Sequence, residues 1–226
     1  MAIDAEPPMT TATRPSILRV VAVRTGIAVL GTMIAAGCAG PALTRVHDPA
    51  QRFQGPGFSI GAPPGEAWYI LPPAPGRVHF AKMVGTAPVP TVLAAAWVAD
   101  VDARPARAEE LVRFKQRSVE RIQRVETAYA ISLTEVEVDR TLGAECIRWV
   151  QQEEERNNPS PALRGLVLLT TTRGVDCLHP ANPRRIVTAG YSERRVKATP
   201  SLVASGQPVA AEGEAFLRSL RLTTAP

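Results

Sequence analysis

A chain of 226 residues, 45% hydrophobic and 21% charged, can fill one sizeable core and is too apolar to remain disordered. Its formal charge of +5 is too slight for the dense basic patch of a nucleic-acid binder, and implies only a mild preference for anionic surfaces. With 21 prolines and 5% aromatic residues, it fits a domain with several rigid loops better than a long helical bundle.

The first feature along the chain is a basic flank, Arg14, Arg19 and Arg24, followed by an uncharged run that ends Ile34-Ala35-Ala36-Gly37-Cys38. A basic flank, a short apolar stretch and small residues at the end make an export signal. Cysteine directly after those small residues resembles the lipobox of bacterial lipoproteins, with Ala35 standing where leucine is usual. The resemblance implies cleavage before Cys38 and lipidation of its thiol. Ala39, in place of an aspartate, implies onward sorting to the outer membrane, facing the periplasm. Two other readings of this stretch are an uncleaved membrane helix, because 25–44 carries no charge, and ordinary cleavage that leaves a soluble exported product. All three place the rest of the chain outside the cytoplasm. The expected organisation is a signal peptide over 1–37, a lipidated tether over 38–57 and one domain over 58–226. Gly40-Pro41, His47-Asp48-Pro49 and Gly55-Pro56-Gly57 punctuate the tether.

Alternation at 58–60 and 67–71 predicts two short strands, and Pro72-Pro73 forbids continuing the second. Strands over 78–84 and 92–101 follow, the latter nearly all apolar and therefore central in a sheet. A helix is predicted over 108–125, with Leu111, Phe114, Ser118, Ile122 and Val125 as its inner stripe. Strands over 133–139, 144–154, 163–172 and 185–196 come next, and a short helix over 212–222 closes the chain. Runs of strands punctuated by two helices predict an α+β fold, an antiparallel sheet with one long and one short helix packed on one face. The arrangement Phe58-Ser59-Ile60…Ala67-Trp68, an amphipathic helix, Glu135-Val136-Glu137-Val138 before Gly143-Ala144, and the closing Phe216-Leu217-Arg218-Ser219-Leu220 resembles the PsbP-like family. That resemblance implies a small exported α/β domain, and leaves a photosystem-type accessory subunit as one functional alternative.

With Cys38 lipidated, Cys146 and Cys177 remain as an even pair in an oxidising compartment, which makes them disulfide candidates. The competing reading is two buried free thiols. Asp176-Cys177-Leu178-His179 offers a thiol nucleophile beside a histidine, the basis of an alternative reading as an envelope enzyme. Its surroundings, Pro180 and Pro183, read as a loop. His47, Asp48, His79 and His179 show no recurring ligand spacing, so no metal and no other cofactor is expected. Glu153-Glu154-Glu155 reads as a solvated strand end that discourages edge-to-edge pairing. Arg113, Arg117, Arg121 and Arg124 repeat at spacings of four, four and three and share one helix face. They are candidates for contact with an anionic envelope partner, either lipid or protein, against the plainer reading of a solvated face. The residues thus predict a non-enzymatic, membrane-anchored binding or envelope-assembly module, with no nucleic-acid partner.

Overall fold

A computed structural model of the chain describes residues 43–48, 50–72, 74–84, 91–126, 129–201 and 209–224. In chain order they form β1 (Thr44–Arg45), β2 (Arg52–Gly55), β3 (Phe58–Gly61), β4 (Tyr69–Ile70), β5 (Arg77–Met83), β6 (Thr91–Asp100), α1 (Ala108–Val125), β7 (Tyr129–Asp139), β8 (Cys146–Glu155), a 3-10 turn (Pro161–Leu163), β9 (Leu168–Leu178), β10 (Arg185–Val196), α2 (Val209–Arg218) and β11 (Arg221–Leu222). Eight strands make one antiparallel sheet in the order β1-β4-β5-β6-β10-β9-β8-β7, and β11-β3-β2 make a second, three-stranded one. The class is α+β, a large antiparallel sheet with two helices.

Side chains alternate between the two faces of a strand, so neighbouring residues report opposite faces. On β8, Cys146 belongs to the core that contains Phe216 and Leu217 of α2, whereas Ile147 packs with Ala108 and Leu111 of α1. On β10, Val187 and Ile186 divide the same way. The two helices therefore cover opposite faces, not the single face expected. The reason lies in β8, β9 and β10, which carry apolar residues at both parities and need cover on both sides.

The α2 face also receives the small sheet. Phe58 and Ile60 of β3 are fully buried in that core. Phe80 of β5 stacks edge-on between Phe53 of β2 (5.1 Å) and Phe216 (5.9 Å), a favoured aromatic geometry. Part of the stretch read as a tether is consequently structural: β1 pairs with β4, and β2 pairs with β3 along its whole length. The predicted helix over 212–222 lies earlier, and Arg221–Leu222 instead pair with Phe58–Ser59.

Candidate functional site

The helix α1 begins where its sequence predicts. Glu109 and Glu110 occupy its first turn and Arg124 its last, the arrangement that complements the helix dipole. No side chain of Arg107 caps it. Instead Glu145, from the loop before β8, accepts the Ala108 N–H at 2.7 Å, and Glu110 accepts the Ala106 N–H at 2.9 Å. Its buried positions are Ala108, Leu111 and Val119, a stripe rotated from the predicted one, and Val125 is 69% exposed. The residue that completes the stripe is Lys115, at a spacing of four from both Leu111 and Val119. Sequence reasoning passed over it because it is charged.

Lys115 enters a closed polar nook. Its Nζ lies 3.4 Å from Asp176 Oδ2 on β9 and 3.4 Å from the centre of the Trp149 ring on β8. Asp176 and Trp149 are both at least 95% buried. Gly174 makes room for the indole: a Cβ there would stand 2.5 Å from the Trp149 ring and 2.9 Å from the Ala189 carbonyl. Burial pushes the Lys115 ammonium below its usual pKa, and the Asp176 carboxylate works against that shift. Trp149 Nε1 and Asp176 Oδ1 have no hydrogen-bond partner among the described residues. The cluster adds a charged contact to the apolar seam of Ala108, Leu111 and Ile147 that packs α1 on the sheet.

The opposite side of α1 is cationic. Arg113, Arg117, Arg121 and Arg124 are all exposed. At 100° per residue they fall within a sector of about 80° that points away from the sheet. Among the described residues only Arg124 has an acid nearby, Glu120 at 3.6 Å, with both side chains well exposed. Such a pair contributes a few tenths of a kcal/mol at most. Arg113, Arg117 and Arg121 have no ion pair among the described residues.

Cys146 and Cys177 are direct register partners on β8 and β9 and form a disulfide, with Cα atoms 4.1 Å apart. Both are fully buried beneath α2. Cys177 therefore lies within a strand and not in a loop, because β9 runs on to Leu178 past the predicted end at 172. The thiol–histidine pairing imagined for Cys177 and His179 does not form: the sulfur is bonded, and His179 turns elsewhere. Its Nδ1 accepts the Ala181 N–H at 3.1 Å, and its ring packs so closely on Gly57 (φ +73°) that no Cβ fits there. Burial, and then the charge of Arg185, lowers the His179 pKa.

His47, His79 and His179 stand on separate elements, and no group of three or more metal-ligating side chains occurs among the described residues. The glutamate run does end its strand, but it is half-buried and paired rather than solvated. It lies on β8, an inner strand, where Glu155 meets Arg194 at 2.6 Å and Glu154 meets Lys197 at 2.5 Å and Arg156 at 2.8 Å. Burial, with Glu155 nearby, raises the Glu153 pKa. Cys38 and the uncharged span around it lie outside the described residues; among the described residues no helix is long and apolar enough to cross a membrane.

No family model and no curated protein matches the sequence. Among solved structures the chain is similar to LpqN of Mycobacterium tuberculosis, described as involved in cell envelope biogenesis, at 11% identity and a TM-score of 0.43, covering 80% of this chain and 91% of that one. It is also similar to cyanobacterial PsbP (CyanoP) of Synechocystis sp. PCC 6803, at 10% identity and a TM-score of 0.40, covering 84% of this chain and 99% of that one.

Proposed function

We propose that this chain is a non-enzymatic cell-envelope module, tethered to a membrane by lipid on Cys38, that seats its folded part on an anionic surface through the outer face of α1. The observation that carries the reading is the row Arg113, Arg117, Arg121 and Arg124, held rigidly outward by a helix whose inner face is fixed to the sheet through Lys115, Asp176 and Trp149. The lipobox resemblance implies a diacylglyceryl group on the Cys38 thiol, whose two chains anchor stably by themselves, so the arginine row orients the folded part on the surface rather than holding it there. Each arginine brought close to anionic headgroups contributes on the order of 1 kcal/mol, and the sum falls as salt screens it. A helix-borne row has a further advantage over a loop, since its guanidinium groups lose little backbone entropy when they engage.

The tether and the helix are tested separately. Intact-mass measurement of the envelope-derived protein is expected to show a chain that starts at Cys38 with added acyl mass. A retained leader, or no added mass, overturns the tether. For the helix, an unlipidated chain carrying Cys38→Ser is floated with anionic and with zwitterionic vesicles. Binding to the anionic vesicles alone, lost in high salt and in the Arg113→Gln/Arg117→Gln/Arg121→Gln/Arg124→Gln variant, is the expected result. Equal flotation of both forms reduces the arginine row to a solvated surface.

A further inference from the structure

We infer that the outer edge of β7 is a docking site for an extended, basic segment of a partner protein, added to the sheet as a further strand with its Lys or Arg side chains on Glu135 and Glu137. β7 is an 11-residue strand at the end of the sheet order; one side pairs with β8, and no described strand pairs with the other. A strand of that length presents a row of backbone donors and acceptors that an incoming chain can satisfy. A register shift between Leu133 and Glu135 interrupts the strand, but Glu135 to Asp139 run in regular pairing with Val150 to Cys146. That second half is the usable template.

The side chains of this half choose the partner. Val136 and Val138 face α1 and join its apolar cluster. Glu135 and Glu137 point to the other face, are exposed, and have no ion pair among the described residues. They rim a cavity of about 110 Å³ whose other charged walls are Arg148, Arg173 and Glu214. Arg148 is already engaged by Asp139 (3.2 Å) and Glu214 (2.8 Å), and Arg173 interacts with the Tyr191 hydroxyl. A side chain that enters from an added strand therefore meets the carboxylates of Glu135 and Glu137, with Glu214 behind them, against two guanidinium groups of which Arg148 is already shared between Asp139 and Glu214, in a space sized for one ammonium or guanidinium group. Opposite charges across adjacent strands attract and like charges repel. Two-fold pairing of β7 with a second copy sets glutamate against glutamate, so self-association through this edge is disfavoured. An anionic membrane is repelled by the same residues.

The test uses the full chain in detergent and three synthetic peptides: one alternating lysine with valine, one alternating glutamate with valine, and the lysine peptide N-methylated on the amides that would face β7. The lysine peptide is expected to bind and to slow hydrogen exchange at the outward amides of β7. Glu135→Gln/Glu137→Gln should weaken it by about fivefold or more, the effect of two cross-strand charge pairs. N-methylation should abolish binding, and Glu135→Lys/Glu137→Lys should transfer it to the glutamate peptide. Undiminished binding of the N-methylated peptide, no protection of β7, or no binding of the lysine peptide overturns the proposal.

Discussion

Lys115 Nζ stands 3.4 Å from Asp176 Oδ2, so a buried ion pair with one member on α1 and the other on β9 joins the helix carrying the cationic row to the sheet, beside the apolar contacts of Ala108 and Leu111. The lysine side chain is 15% exposed and that of the aspartate 7%. Breaking one half of so buried a pair strands the other charge, which costs about 3–5 kcal/mol, whereas replacing both by apolar or neutral groups of similar volume is close to neutral. Asp176→Asn should therefore lower stability to urea far more than Lys115→Met/Asp176→Asn together. Similar loss in both would show that the charge is not what anchors α1.

The same pair sets a pH dependence. Burial depresses the Lys115 pKa below its usual 10.5. Between the lowered folded value and 10.5, the unfolded chain binds more protons than the folded one, so stability rises with pH across that window. The urea midpoint of the wild-type chain, measured against Lys115→Met to cancel other alkaline titrations, should climb from neutral pH towards 10. A flat or falling difference would mean that the ammonium is better solvated than its position implies.

Asp139, at the end of β7, behaves in the opposite sense. Burial alone would raise its pKa, but two Thr141 hydrogen bonds and the Arg148 guanidinium outweigh it and hold the carboxyl below the usual 3.8. The stability it confers is present above pH 3.8 and is lost as pH falls through the folded value. Asp139→Asn should cost about 1–3 kcal/mol at neutral pH and flatten the acid limb of the stability curve. Thermal melts from pH 2 to 7, recorded in about one-unit steps, compare the two slopes directly.

The disulfide closes a separation of 31 residues between adjacent inner strands. In the loop-entropy account such a crosslink contributes about 3–4 kcal/mol. Cys146→Ala/Cys177→Ala should lose roughly that much in urea unfolding. Thiol titration of the denatured wild-type chain without reductant should find neither sulfur free.

Glu212 on α2 is buried and accepts from Lys82 Nζ (2.7 Å) and from Trp68 Nε1 (3.0 Å). Its Oε1 lies 2.2 Å from where a Cβ on Gly65 (φ +94°) would sit. Glu212→Ala leaves the Lys82 ammonium, 12% exposed, without its partner, and should cost about 3 kcal/mol. Gly65→Ala strains the backbone and the carboxylate together. Both variants should lower the melting temperature, and the double variant should lose less than the two single losses combined, because both act on one contact.

Much of α1 was legible from local order. Its bounds, its exposed arginines and its charged ends follow from 3.6-residue periodicity and the helix dipole, which neighbouring residues alone determine. Its inner stripe was read about a fifth of a turn away, since a lysine between Leu111 and Val119 looks solvated until Asp176, far along the chain, supplies its counter-charge. β9 runs past the predicted end at 172, and Gly174 within it is the seat of the Trp149 ring, a partner that only the neighbouring strand supplies. The predicted edge charges at 153–155 lie on an inner strand because nothing local says that β7 and not β8 ends the sheet.

By itself the sequence determined the alternation of strands and two helices, the cationic face of α1 and the even pair of cysteines after position 38. Each of these is written in spacing or in parity. The tertiary structure alone decided which faces the helices cover, that the two cysteines stand across from each other and bond, and where a buried lysine finds its acid. Burial is a property of two surfaces at once, and the second surface comes from residues that only the folded sheet brings alongside.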